Sequence, residues 1–139
     1  MRNIDTTFLQ QNLMSFERAY AAYREAEREN SENLEFYRNS LIKAFEYTLE
    51  TCGKLLRKRL APFFASKRMA DALTFKDVFR EAHHHGLLDE ETAERWTIYR
   101  DHRNRTAHEY GDGIAEKAIR DLNTFMQDVQ FLKEIIEHE

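Results

Sequence analysis

Four glycines and one proline, Pro62, are the only strong turn formers in 139 residues. A chain so poor in them reverses direction rarely, so its elements must be long, and that favours helices. The hydrophobic spacing agrees. From Phe8 to Tyr23, the residues Leu9, Leu13, Phe16, Tyr20 and Tyr23 recur in alternating steps of four and three, which is one helix face. Asn30-Ser31 reads as a break and cap. From Leu34 to Leu60 a long helix carries Leu41, Phe45, Leu49, Cys52, Leu56 and Leu60. Pro62 disturbs its end, and Phe63 and Phe64 are expected to fold back onto the core.

Thr74 to His85 reads as a shorter helix, with Thr74 and Asp77 as a capping box and Gly86 at its C-terminus. Asp89 opens another helix, whose Glu90 and Glu91 suit the positive end of the helix dipole and which carries Trp96 and Tyr99. A last helix runs from about Gly113 to Glu137, with Ala118, Leu122, Phe125, Val129, Leu132 and Ile136 on one face. No strand alternation, internal repeat or linker interrupts the pattern. The expectation is an all-α bundle in a single domain, residues 1–139, with three long helices and two short ones.

Apolar residues at 42% and charged residues at 33% exclude a disordered chain and a membrane protein alike. Met1-Arg2-Asn3-Ile4-Asp5 lacks an apolar signal region, and the lone Cys52 suits a reducing compartment as small core filler, so a cytoplasmic location is expected. A net charge of −4 argues against broad coating of nucleic acid but leaves room for a small basic site. No phosphate-binding glycine loop, nucleophile elbow or dinucleotide fingerprint is present, which argues against nucleotide hydrolysis.

Three segments have residue types that do chemistry. His83-His84-His85 point to different sides of a helix, whereas a helical metal site wants histidines three or four apart, so no metal is expected there. Lys54, Arg57, Lys58 and Arg59 form a basic cluster, either a solvated face or a phosphate-binding rim. The third segment, 100–110, reads RDHRNRTAHEY and is polar nearly all round. On a helix, Arg103 and Tyr110 share a face, and Asn104 stacks with His108. Arg103 and His108 lie about 140° apart, so one chain aims them imperfectly at a single point, whereas two copies facing across a symmetry axis bring both pairs around one cleft. A histidine can exchange a proton with a ribose hydroxyl or a leaving oxygen, and an arginine fork matches a phosphate, without metal or cofactor. The same residues also fit a capped helix end with surface ion pairs such as Asp101 to Arg105.

The arginine and histidine, with a polar residue right after the arginine, resemble the signature of HEPN domains. RNRTAHEY at 103–110 is similar to the RNxTxHxY variant of small HEPN proteins paired with minimal nucleotidyltransferases. AFEYTLETCGKLLRKRL at 44–60 and TFKDVFREAHHHGLLDEETAERW at 74–96 extend the resemblance over most of the chain. Gly53 departs from it, where a large aromatic is expected. The resemblance implies an up-and-down bundle of four to five helices that forms a homodimer. It also implies one of two roles. One is a metal-independent endoribonuclease toxin, inhibited by the nucleotidyltransferase as antitoxin, in which Arg103 and His108 cleave RNA, Asn104 assists, and the partner adenylylates Tyr110. The other is a noncatalytic subunit that binds substrate for the nucleotidyltransferase.

Overall fold

The computed structural model describes the backbone of residues 4–108 and 122–138, and the side chains of 4–102 and 122–138. Within these residues the chain is helical, with α1 at Thr7–Arg28, α2 at Leu34–Leu60, a 3₁₀ turn at Ala61–Phe63, α3 at Lys67–Asp71, α4 at Phe75–His84, α5 at Glu90–His108 and α6 at Leu122–Glu137. No strand occurs among the described residues.

The turns follow from the punctuating residues. Asn30 takes the left-handed conformation, φ 51°. It lets the Ser31 N–H reach the Ala26 carbonyl at 2.9 Å and the Asn30 N–H reach Glu27 at 3.2 Å, the double closure that satisfies orphan carbonyls at a helix end. Ser31 does not cap α2 itself. Its Oγ accepts from the Asn33 N–H at 3.1 Å, and Asn33 sits at the cap position. Gly86, φ +79°, repeats the closure after α4, with the Leu87 N–H on the Ala82 carbonyl at 2.8 Å. Thr74 and Asp77 form the expected capping box.

These two reversals make two antiparallel hairpins. In the first, Asn12 near the start of α1 meets the far half of α2, where Thr51 Oγ1 donates to Asn12 Oδ1 at 3.0 Å. In the second, Lys76 at the start of α4 meets Asp101 late in α5. The long helix α2 is the centrepiece, with α1, α4, α5 and α6 all packed against it. Phe125 of α6 sits among Phe16, Phe45, Trp96 and Tyr99, with ring centroids 4.7 to 5.8 Å away. Among the described residues the apolar stripes read from the sequence supply this core, except that Tyr20 is only half-buried; Ala118 lies outside the described residues.

Three differences have physical causes. The helix opened by Asp89 is long, because its first half is core and Asp89 Oδ1 caps it by accepting from the Thr92 N–H at 2.7 Å. The turn α3 was not expected; Ser66 starts it by accepting from the Met69 N–H. Of the two phenylalanines after Pro62, Phe64 packs against the core, but Phe63 stays 45% exposed and stacks on His85 at 4.2 Å. The start expected for the last helix, about Gly113, lies outside the described residues.

Candidate functional site

Residues 100–108 of the polar motif occupy the last turns of α5, whose backbone is helical through His108. Just upstream the helix is fixed on three sides. Towards α6, Arg95 grips Asp128 with two hydrogen bonds, Nε to Oδ2 and Nη2 to Oδ1, both 2.9 Å. One turn later the Tyr99 hydroxyl donates to the same carboxylate at 2.5 Å. Towards α2, Arg100 pairs with Glu50 at 2.5 Å and lies over the Phe75 ring at 5.0 Å. Towards α4, Lys76 pairs with Asp101 at 2.8 Å. Trp96 adds an apolar anchor, stacked on Phe79 at 4.8 Å. A site on a rigid element holds its geometry better than one on a loop.

The electrostatics of the anchor are one-sided. Burial, followed by the hydrogen bond to Asp128, pushes the Tyr99 phenol well above its ordinary range. The Asp128 carboxylate raises Arg95 in turn, chiefly through their hydrogen bonds. The network is therefore a neutral phenol and an ion pair at neutral pH, a structural clamp rather than a proton donor. Sequence reading overlooked it, although a signal was present. Asp128 lies three residues after Phe125 and four before Leu132, on the apolar stripe of α6. A carboxylate on a core face must have a partner.

Arg103, Asn104 and His108 fall on the helical backbone of α5, but their side chains lie outside the described residues, and so does Tyr110 altogether. On that backbone Asn104 and His108 are one turn apart on the same face, and Arg103 and His108 diverge by about 140°. Asp101 pairs with Lys76 at 2.8 Å, and the side chain of Arg105, its other expected partner, lies outside the described residues.

The other candidates are placed more fully. His83 Nδ1 is 3.0 Å from the Leu88 carbonyl, and His85 lies 3.4 Å from Glu81. No cluster of three metal-ligating side chains occurs among the described residues. Cys52 is fully buried, and burial pushes its thiol up, away from reactivity. The basic cluster divides. Arg59 donates to the His138 carbonyl at 3.0 Å, while Lys54, Arg57 and Lys58 line a cavity at the end of α2. Gly53 has a clear role, because a Cβ there would lie 2.8 Å from Phe75 ring carbons. The aromatic expected at 53 is replaced by one arriving from α4.

Residues 11–138 match the model of the family described as nucleotidyltransferase substrate binding protein like. A curated relative from Haemophilus influenzae, named "Probable ribonuclease HepT", is 31% identical over 93 residues, 67% of this chain. The match spans 62% of that relative's length. The fold resembles a solved H. influenzae structure described as the substrate binding domain of a nucleotidyltransferase, with TM-score 0.81 and 23% identity over 96% of this chain and 100% of that one. A Thermus thermophilus structure matches with TM-score 0.66 and 27% identity, over 88% and 99% of the two chains. No described helix is long and apolar enough to cross a membrane.

Proposed function

This chain belongs to the nucleotidyltransferase substrate binding protein-like family of HEPN domains, and from that premise we propose that it is a metal-independent endoribonuclease toxin held in check by a cognate nucleotidyltransferase. The observation that carries the proposal is the run Arg103-Asn104 … His108 at the end of a helix clamped to three neighbours. The relative named a probable ribonuclease supports the activity, and the family's description supports the partner.

The chemistry follows from the side chains. His108 takes the proton of a ribose 2′-hydroxyl as its oxygen attacks the adjacent phosphorus, or returns a proton to the departing 5′-oxygen. Arg103 balances the charge that gathers on the phosphoryl oxygens, and Asn104 steadies the histidine face. The angular separation of Arg103 and His108 favours a homodimer in which two α5 ends share one cleft. Tyr110 is the acceptor for AMP. Its adduct brings a phosphate that Arg103 attracts, so the modified chain blocks its own cleft by occupancy and charge.

A noncatalytic role, presenting a substrate to the nucleotidyltransferase, is favoured by the family's description. One experiment separates the two. The protein is incubated with its cognate nucleotidyltransferase and ATP, then weighed intact and assayed on RNA. For the toxin, mass rises by whole AMP units, Tyr110→Phe abolishes the gain, and cleavage seen before the incubation is lost after it. An unchanged mass, together with RNA left uncut by the unmodified protein, assigns the chain to the binding role.

A further inference from the structure

The end of α2 builds a second feature that the α5 motif does not touch. Lys54, Arg57 and Lys58 recur at helical spacing on one face, and with Lys67 they line a cavity of about 810 Å³. That size is within the range of small-molecule sites. Pro62 and Phe64 supply an apolar wall. The cations are unequal in their commitments. Arg57 Nη2 donates to the Leu73 carbonyl at 2.8 Å, which orients the guanidinium, yet its Nε is buried without an acceptor. Lys54 and Lys58 are exposed, and no carboxylate among the described residues lies within ion-pair distance of either. Two carboxylates also line the cavity. Asp5 accepts from the Thr7 N–H at 2.9 Å and also feels the charge of Lys58, and Asp71 is the other. Four cations thus face two acids in a chain that is acidic as a whole.

A guanidinium held in place by the Leu73 carbonyl, two exposed ammonium groups at the rim and an apolar wall make a combination suited to one class of ligand. We propose that this cavity is a phosphoryl-binding subsite for a nucleotide, with Arg57 as the fixed fork, Lys54 and Lys58 as rim cations and Phe64 against the sugar or base. The phosphoryl group comes from a single strand of RNA or from a free nucleotide. The subsite uses no residue of the α5 motif and stands whether or not His108 cleaves RNA.

The test uses the full chain and two fluorescent probes, a 2′-O-methyl RNA oligonucleotide, which resists 2′-hydroxyl chemistry, and a labelled ATP analogue. Fluorescence anisotropy is read for the parent, the double variant Lys54→Gln/Lys58→Gln, Arg57→Gln, and Arg18→Gln on α1 as a control that removes one charge elsewhere, as Arg57→Gln does at the cavity. Each variant is first checked by circular dichroism. Both lysines are exposed, so the double variant keeps the fold and decides the matter if Arg57→Gln does not. The parent binds one of the probes, the lysine variant binds it about tenfold or more weakly, and Arg18→Gln binds like the parent. With three cations on an RNA strand, affinity falls roughly 20-fold between about 50 and 200 mM salt, and about 3-fold when one cation remains. Binding of the oligonucleotide alone assigns the subsite to a strand, and binding of the ATP analogue identifies a free nucleotide. Absence of binding to both probes, or equal binding by parent and lysine variant, overturns the proposal and leaves cleavage by His108 untouched.

Discussion

At Gly53 a missing side chain decides how α4 meets α2. The helix would gain about 0.5–1 kcal/mol from alanine at an interior position. The Phe75 ring forbids it, since a Cβ would lie 2.8 Å from Cδ2 and Cε2. Overpacking of that kind costs about 1–3 kcal/mol. Gly53→Ala should therefore destabilise the parent but stabilise a Phe75→Ala background, and urea unfolding of the four proteins reads the reversal of sign. The same sign in both backgrounds would separate Gly53 from Phe75. The sequence showed the departure at 53 but not its cause, because the compensating ring comes from another helix. Asp89, by contrast, was legible as a cap. Its hydrogen bonds from Thr92, backbone first, hold its carboxyl below the ordinary value. A lowered folded value means stability that is present above the unfolded value of about 4 and is lost as pH falls through the folded one. Asp89→Ala should lower the melting temperature at pH 7, and the gap should close in acid. Asp89→Asn keeps a cap acceptor but not the charge, so it should melt between the parent and Asp89→Ala at pH 7. A gap that persists at pH 2 would point to something other than the charged cap.

At the scale of the element, α5 has two halves with different duties. Its first half is core and clamp, and its last turns carry the polar motif. The apolar stripes of α1, α2 and α6 were legible because each faces one core with helical period. The clamp was not legible as such, because Asp128 on the apolar stripe of α6 signals a buried partner without saying that Arg95 and Tyr99 of α5 supply it. Phe63 was misjudged for a related reason. An aromatic after a proline has no required direction, and the nearby His85 ring offered it a surface partner. Asp128→Ala would leave a buried tyrosine hydroxyl and an arginine without their acceptor. Loss of one partner of a buried pair costs about 3–5 kcal/mol, and the 34% exposure of the Arg95 side chain puts the expectation at the low end or just below it, about 2–3 kcal/mol. Chemical denaturation checks this, and a loss under about 0.5 kcal/mol would remove the clamp from the account.

At the scale of the molecule, the chain presents its motif at the end of a helix that the rest of the fold holds in place. Tyr47 and Phe36 on α2 and Ile98 on α5 remain well exposed. They are apolar surface that the proposed homodimer would bury. Light scattering on a sizing column should return the mass of a dimer at micromolar concentration, and a clean monomer would dismiss the shared cleft. How the motif side chains meet was not legible, since spacing on one helix fixes their angle but not what stands opposite. The central claim is that Arg103 and His108 cleave RNA without metal, and the most direct test is the cleavage rate of a labelled RNA in excess chelator. The parent should cut at a rate unchanged by the chelator, and His108→Ala should be slower by roughly 10²- to 10⁴-fold while keeping its melting temperature. A His108→Ala protein that cuts as fast as the parent would contradict the account.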